Sequence, residues 1–352
     1  MKIIYSILTI LLLTNCVNRH LQNEKVELKT TYTTETENNE IYHNYTEEQI
    51  EIFLDSIGGL SPLLWAKNVD FIADSTFKNQ RQLNKVISQK NFAKLKLAIF
   101  KYREIDLKTA KSIFGEIDSS FLAKDRVPLV FISFDENKDD LNEYAIFLRS
   151  PSVSWSCLLY FFKGNQIIAK HNIYHRYGLE IEHYIDADNR TVIYYKENFG
   201  SGTGIWQFNY YFYKYYDNEL IPILNELENG NLNGWGNGRS FWFKTFITNT
   251  RPLTLKMVYH QEIYDTNNIS SKIINDSTFV QYTWNEKTRK LVGFYEKNKI
   301  DKYQTLTYYL ADNELLFINT HYSILKDCLK HKSKRSIILN YLNDIKNYLE
   351  NN

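Results

Sequence analysis

The sequence predicts an α+β fold that is mainly β, with a small helical region first, then a long antiparallel meander, then a helix. Three observations predict this order. Apolar residues recur at helical spacing from 46 to about 115, alternate with a period of two from Val127 to about Thr320, and return to helical spacing after Lys332. Aromatic residues, which favour strands, make up 15% of the 352 residues. With 24% charged residues, the composition is that of a globular chain and not a disordered one.

The charge balance excludes one large class of partner. The chain has 42 Lys and Arg against 41 Asp and Glu, which gives a formal net charge of +1. A dedicated nucleic-acid-binding protein normally has a strong excess of basic residues. We therefore expect no nucleic-acid partner.

The first sixteen residues have the composition of a secretory signal. Lys2 precedes a run of about eleven mostly apolar residues, which is too short to span a bilayer as a helix. The run ends in Leu13-Thr14-Asn15-Cys16. This ending resembles the lipobox of bacterial lipoproteins, whose signal peptide is removed just before a Cys that is then acylated. The resemblance implies a signal peptide at 1–15 and lipidation of Cys16. The alternatives are an ordinary secretory signal with an incidental Cys, or an anchor that is never cut.

Acylation would attach the mature protein to a lipid bilayer. Several acyl chains, such as palmitate, on Cys16 would satisfy the need of stable anchoring for more than one chain. Val17 in place of Asp implies, by the same resemblance, passage to the outer membrane. Residues 18–22 contain no acidic cluster, which favours the periplasm-facing side. The polar, aperiodic sequence that follows predicts that 16–45 is the lipidated Cys with a flexible tether.

Helical signals fill the region 46–125. Thr46-Glu-Glu-Gln49 is typical of a helix start, and Gly58-Gly59 of a helix end. A third helix is predicted to begin at Asp106 and to end at Gly115. The second helical run, between these two, uses Leu83, Val86, Ile87, Phe92, Leu95 and Ile99.

The region 126–330 is predicted to be an antiparallel β domain, because its short connections leave no room for parallel crossovers. A sheet of about a dozen strands must curl, close or split to protect its edges. We therefore expect a curled sheet that is barrel-like or propeller-like, and 179–228 has the length of one four-stranded propeller blade. Helical spacing predicts a C-terminal helix over 331–352. The main predicted strands are 127–134, 143–149, 155–163, 166–175, 179–185, 191–199, 205–216, 241–249, 253–264, 278–285, 290–296, 303–310 and 314–319.

One predicted strand carries rings on both faces. The run from Phe208 to Tyr216 is almost entirely aromatic. One face of this strand must pack on a core, and the other must be covered or exposed. An exposed row of Tyr could stack on sugar rings or on a protein partner. The alternative is that Tyr is simply a favoured strand residue.

Two glycine-rich loops form the favoured ligand-binding surface. Gly200–Gly204 leads into one Trp, and Gly230–Arg239 contains a second and leads into a third. Glycines let the backbone approach a ligand, while Trp and Arg provide stacking and hydrogen-bond donors. Two flexible hairpin loops are the alternative. The candidate ligand-binding residues are Trp206, Trp235, Arg239 and Trp242.

A short acidic loop could bind calcium. Its oxygen-bearing side chains occupy positions that suit a hard cation, and the loop resembles the calcium loops of some β-propeller blades. Asp140 stands where such loops usually have Gly, and a solvated acidic hairpin tip is the alternative. No other cofactor is expected. The candidate metal ligands are Asp135, Asn137, Asp139 and Glu143.

Histidine and cysteine give weaker signals. A hairpin that pairs 175 with 179 would place His171 opposite His183, either as part of a zinc site or as a half-buried structural pair. After Cys16, only Cys157 and Cys328 remain, and the sequence leaves open whether they form a disulfide.

No sequence signature of catalysis is present: we find no Gly-x-Ser-x-Gly, His-Glu-x-x-His, Walker or Cys-x-x-Cys motif. We therefore expect a non-catalytic, membrane-anchored lipoprotein of the bacterial envelope that binds a glycan or protein partner. One alternative is a periplasmic hydrolase of envelope polysaccharide, which requires two carboxyl groups in one pocket. Another is an inhibitor or immunity lipoprotein.

Overall fold

The computed structural model of the protein describes residues 77, 80–115, 117, 125–148, 156–174, 178–202, 205–231, 239–265, 268–296 and 322–351. The predicted helix at 46–58, the predicted strands at 303–310 and 314–319, Cys16 and Trp235 lie outside the described residues.

The described part of the chain contains fourteen strands and four α-helices. The strands are β1 (Arg81–Val86), β2 (Glu104–Asp106), β3 (Arg126–Ser133), β4 (Glu143–Leu148), β5 (Ser156–Lys163), β6 (Gln166–Tyr174), β7 (Ile181–Ile185), β8 (Thr191–Gly202), β9 (Ile205–Tyr216), β10 (Glu219–Asn231), β11 (Arg239–Thr250), β12 (Leu253–Asp265), β13 (Asn268–Asn285) and β14 (Lys290–Tyr295). The helices are α1 (Gln89–Leu97), which runs into a π-helical turn (Ala98–Tyr102), then α2 (Leu107–Phe114), α3 (Tyr322–Leu329) and α4 (Lys332–Asn351).

Two antiparallel sheets organise these strands. The smaller sheet has the order β1-β6-β5-β4-β3-β2, and the larger has the order β14-β13-β12-β11-β10-β9-β8-β7. The prediction of a mainly β, antiparallel chain is therefore confirmed. The predicted barrel-like or propeller-like closure is wrong, because across the described residues both sheets end in open edges. The four strands at 179–228 are one half of the larger sheet and not a separate blade.

The helices begin and end where local chemistry directs them. The Asp106 side chain accepts a hydrogen bond of 2.8 Å from the backbone N–H of Thr109 and so caps α2. Gly115 follows α2 with a φ of 82°, a conformation that favours glycine. The predicted third helix is thus confirmed, and α4 confirms the predicted C-terminal helix. The predicted end of the β domain at 330 is wrong, because Tyr322–Leu329 forms the helix α3. None of the described helices is long and apolar enough to cross a membrane.

The second predicted helix is only partly correct. Arg81–Val86 is an edge strand that pairs with β6, and the helix begins only at Gln89, after Ser88. Six residues with two apolar positions fit a helical and a strand period equally well. The local sequence therefore does not choose between helix and strand. The segment forms a strand because the edge of β6 offers it backbone hydrogen-bond partners.

Three cores divide the molecule into four layers. Leu95 of α1 and Ile113 of α2 pack on one face of the smaller sheet. The opposite face of that sheet packs against the larger sheet, for example through Phe161 and Tyr213. Leu342 of α4 belongs to the third core, which covers the remaining inner surface of the larger sheet. The layers are helices, smaller sheet, larger sheet and helices.

The aromatic strand β9 lies between two of these cores. Tyr213 and Tyr215 pack against the smaller sheet, whereas Phe212 packs in the core that contains α3 and α4. The Tyr215 hydroxyl donates to the backbone carbonyls of Tyr144 and Phe162, each at 3.3 Å, and so ties the sheets together. Both faces of this strand are therefore covered, and its central rings form core and not a ligand platform.

The larger sheet curls between β10 and β14, and β11 pairs with only three residues at the end of β10. Tyr295 of β14 donates a 2.9 Å hydrogen bond to Glu226 of β10, although four strand intervals separate these strands. In a flat sheet those strands would lie about 19 Å apart. Where β10 pairs with β11, Gly230 lies opposite Phe243, and a Cβ on Gly230 would stand 2.6 Å from the Phe243 ring. The close approach of the ring therefore requires glycine.

Candidate partner-binding face

The strands β11–β14 have an unusual face on the side that is turned away from the core. Their inward residues include Phe243, Leu255 and Val280, each at most 1% exposed. Successive side chains of a strand point to opposite faces, and the solvent face of a one-sided sheet is normally polar. Here it carries large exposed apolar side chains instead. These are Phe246 (45% exposed), Phe279 (39%), Val292 (49%) and Phe294 (75%).

These residues form one continuous surface. Phe246 is the register partner of Lys256, which in turn is the partner of Phe279. Gln281, two residues after Phe279, is the register partner of Phe294. Diagonal neighbours of this kind are within reach of aromatic side chains. We call the surface formed by Lys244, Phe246, Lys256, Phe279, Val292 and Phe294 the outer face.

Two lysines give the outer face positive charge. The Lys244 ammonium lies 5.3 Å from the ring centroid of Phe246, and the Lys256 ammonium lies 5.5 Å from that of Phe279. These are cation–π distances. A surface of exposed rings flanked by ammonium groups suits a partner that is apolar with acidic groups around it.

One of the predicted ligand-binding residues belongs to this side of the sheet. Trp242 is on the same face of β11 as Phe246 by strand alternation, and its ring lies 3.7 Å from the ring of His260. Trp206 and Trp242 are both register partners of Asn231, so the structure brings them into one cross-strand row. Arg239 is the first residue of β11.

The predicted calcium loop forms a hairpin tip that bonds to itself. The Asp135 carboxylate accepts the backbone N–H groups of Asn142 and Glu143, at 2.9 and 3.1 Å. The Asn137 side chain accepts the N–H of Asp139 at 3.3 Å. Burial raises the pKa of both Asp135 and Glu143. Within the described ranges, no three His, Cys, Asp or Glu residues are arranged to hold a metal. Calcium binding here stays a prediction.

The predicted pairing of His171 with His183 is wrong. His171 lies in β6 of the smaller sheet and His183 in β7 of the larger sheet, so the two strands form no hairpin. The chain leaves one sheet and enters the other between them, and the two strands face the same core from opposite sides, through Ile173 and Ile181. Cys157 and Cys328 are both free thiols, one in the core between the sheets and one against α4.

A polar cluster is buried between the two sheets. His171 Nδ1 lies 3.2 Å from the Tyr195 hydroxyl, which donates to Tyr213 at 3.1 Å. Burial lowers the pKa of His171 to about 3. Burial, together with the charge of Glu197, raises the pKa of Cys157 to about 12. Since the thiolate is the reactive form, this cysteine is poorly suited to act as a nucleophile.

Glu197 is the most perturbed carboxyl of this cluster. One of its oxygens accepts the backbone N–H of Tyr174 at 3.2 Å, and the other has no hydrogen-bond partner among the described residues. Burial raises the pKa of Glu197 to about 7, and the bond from Tyr174 only partly opposes this rise. A carboxyl of this kind stays protonated more readily than one at the surface.

The sequence did not lead us to predict the outer face, although β14 carries a signal for it. In β14, Leu291 and Tyr295 point inward, while Val292 and Phe294 between them are also apolar. A strand with apolar residues at both odd and even positions is predicted to be buried on both faces. The structure buries only one of them, which leaves the second as a surface.

Comparison with known proteins does not assign the chain to a family. No protein-family model matches the chain, and neither the curated proteins nor the solved structures contain a significant match to it.

Proposed function

We propose that this protein is a lipid-anchored lipoprotein of the bacterial envelope whose β domain holds a glycan or protein partner without catalysing a reaction. Cys16 provides the anchor, and the outer membrane, on its periplasm-facing side, is the location. The outer face is the binding surface. The observation that carries this proposal is the set of three exposed phenylalanines, Phe246, Phe279 and Phe294, on a sheet face that would otherwise be polar.

The chemistry of the outer face favours a protein as the partner. Phenylalanine offers apolar area but no hydrogen-bonding group, whereas a sugar platform needs donors and acceptors beside its rings. Aromatic residues are also enriched in the centres of protein interfaces. Lys244 and Lys256 would then meet acidic groups of the partner. Trp206 and Trp242, at the end of the same sheet, are the residues best suited to a glycan.

Acylation of Cys16 is tested by metabolic labelling with a clickable palmitate analogue. We expect the mature protein to carry the label and Cys16→Ser to carry none, because the lipobox Cys is the acceptor. Cys157→Ser and Cys328→Ser, whose thiols lie in cores, should be labelled like the parent. An unlabelled parent would show that the anchor is absent, and label on Cys16→Ser would show that another residue carries the acyl group.

The outer face is tested with the double variant Phe279→Glu/Phe294→Glu. We expect partner recovered by crosslinking and purification from bacterial envelopes to fall at least about tenfold, since buried aromatic anchors carry most interface energy. The control is Val86→Glu, which places one acidic group on an edge strand at a residue 65% exposed. Its match in charge on the outer face is the single variant Phe294→Glu, at a residue 75% exposed.

Three results would contradict this assignment. Equal recovery by the double variant and the control would place the partner elsewhere on the molecule. Loss of recovery with Trp242→Ala alone would move the site to the row that contains Trp206. Release of reducing ends from envelope polysaccharide by the parent would instead favour a hydrolase.

A further inference from the structure

A second exposed apolar surface lies on the helical layer, away from the larger sheet. At the end of α1 and in the π-helical turn, Leu97 is 52% exposed, Phe100 43% and Tyr102 49%. Their neighbours Leu95 and Ile99 are fully buried, so the segment lies on the smaller sheet with these three side chains turned outward. We call the surface formed by Lys96, Leu97, Phe100, Lys101, Tyr102 and Arg103 the basic ridge.

The segment around the basic ridge has a much more positive net charge than the whole chain. Residues 81–111 contain nine Lys and Arg against two acidic residues, a net charge of +7 in a chain whose total is +1. Lys96, Lys101 and Arg103 are all exposed. The rest of the chain is therefore acidic on balance, and the positive charge is concentrated on this layer.

The two acidic residues of this segment are already engaged. Glu104 lies 2.5 Å from Arg126, and Asp106 lies 3.7 Å from Lys94 and caps α2. No ion pair joins Lys96, Lys101 or Arg103 to an acidic residue in the part of the chain that the structure describes. The positive charge beside the exposed side chains is therefore not neutralised locally.

The rings of the basic ridge are held firmly while they face outward. Phe100 packs edge-on against Phe131 of β3 at 5.9 Å. The Lys101 ammonium lies 5.3 Å from the Tyr102 ring, and Arg126 lies 5.9 Å from it. An apolar helix end with Lys around it and Tyr at its border is the composition of an interfacial membrane contact. A nucleic-acid site would use the same charges but has no use for an exposed Leu.

We propose that the basic ridge docks on the surface of an anionic phospholipid bilayer, with Leu97 and Phe100 inserted among the lipid headgroups and Lys96, Lys101 and Arg103 against the phosphates. Acylation of Cys16 would hold the chain at a membrane, and the ridge would then orient the domain on it. The outer face lies on a different layer of the molecule, so a docked domain keeps its partner-binding surface. The ridge requires no acyl group, so its test is independent of the anchor.

The test uses the full chain with Cys16→Ser, which cannot be acylated there, in vesicle flotation. We expect it to bind vesicles of equal parts phosphatidylglycerol and phosphatidylcholine and to remain free of vesicles of phosphatidylcholine alone. Each Lys near an anionic membrane surface changes the partition coefficient of the protein between water and membrane about fivefold. Lys96→Gln/Lys101→Gln should therefore reduce binding by about 25-fold. Leu97→Ser/Phe100→Ser should reduce it at unchanged net charge.

The matched control removes two exposed lysines that lie outside both the basic ridge and the outer face. Lys287→Gln/Lys290→Gln has the same net charge as the ridge variant and should bind vesicles like the parent. Equal losses in both double variants would mean that only net charge matters, which would overturn the proposal. Equal binding to neutral vesicles would overturn it as well. Binding of a duplex oligonucleotide that depends on the ridge, without binding of vesicles, would replace the membrane by a nucleic acid.

Discussion

Replacing Lys214 with Met is expected to lower the free energy of unfolding by about 2 kcal/mol, between the values for exposed and for fully buried ion pairs. Lys214 is a core residue of β9, 1% exposed, and its ammonium lies 2.6 Å from Asp186 and 2.8 Å from Asp188. It also lies 4.1 Å from the Trp284 ring centroid. The Asp186 side chain is 17% exposed and that of Asp188 is 53% exposed, so the loss of the ammonium leaves mainly the Asp186 carboxylate partly desolvated and without its cation. Urea unfolding followed by Trp fluorescence measures the change.

The matched control is Lys256→Met on the outer face, where the ammonium group has no such carboxylates within ion-pair distance in the described chain. We expect that change to be within about 0.5 kcal/mol of the parent. Adding Asp186→Asn to Lys214→Met should restore part of the lost stability, because it removes the orphaned charge. Equal unfolding midpoints for Lys214→Met and Lys256→Met would show that the buried ion pair does not stabilise the fold.

Glu197→Gln is expected to change how stability depends on pH. The pKa of Glu197 is about 7 in the folded protein against an ordinary value of 4.5. Between these values the unfolded chain binds fewer protons than the folded one, so the free energy of unfolding of the parent falls as pH rises. The full difference amounts to about 3 kcal/mol as an upper bound. The variant, which has no proton to lose, should be free of this fall.

The measurement is the difference in free energy of unfolding between variant and parent from pH 4 to pH 8 (about the range over which Glu197 titrates). His171, whose burial lowers its pKa to about 3, acts in the opposite direction below its ordinary value of 6.5 but is present in both proteins. The difference therefore isolates Glu197. Exposed Glu182→Gln is the control and should follow the parent. A parallel profile for Glu197→Gln would show that the buried carboxyl is not protonated in the folded state.

Local chemistry was sufficient for the elements that depend on near neighbours. The helix α2 begins after Asp106 and ends before Gly115. Both signals are local, because a capping carboxylate and a glycine with positive φ act within a few positions along the chain. Gly164–Asn165 and Asp217–Asn218 join adjacent antiparallel strands, in agreement with the prediction from short connections, because two-residue connections allow no other arrangement.

The binding surface could be predicted only in small part. Trp242 was a candidate and does lie on the side of β11 that carries the outer face, whereas Phe246, Phe279 and Phe294 were not singled out. Their exposure depends on which face of the larger sheet the other layers cover. That choice is made by packing between elements distant in sequence, and no local spacing records it.

Local patterns predict most of the secondary structure, the antiparallel connections and, through the resemblance at Cys16, the proposed anchor. Packing between distant parts of the chain places Arg81–Val86 at a sheet edge, separates His171 and His183 into different sheets, and buries both faces of β9. The reason lies in what periodicity records: the spacing of apolar residues indicates which side chains share one face of a helix or strand. What covers that face depends on long-range packing, which is cooperative and belongs to the whole chain.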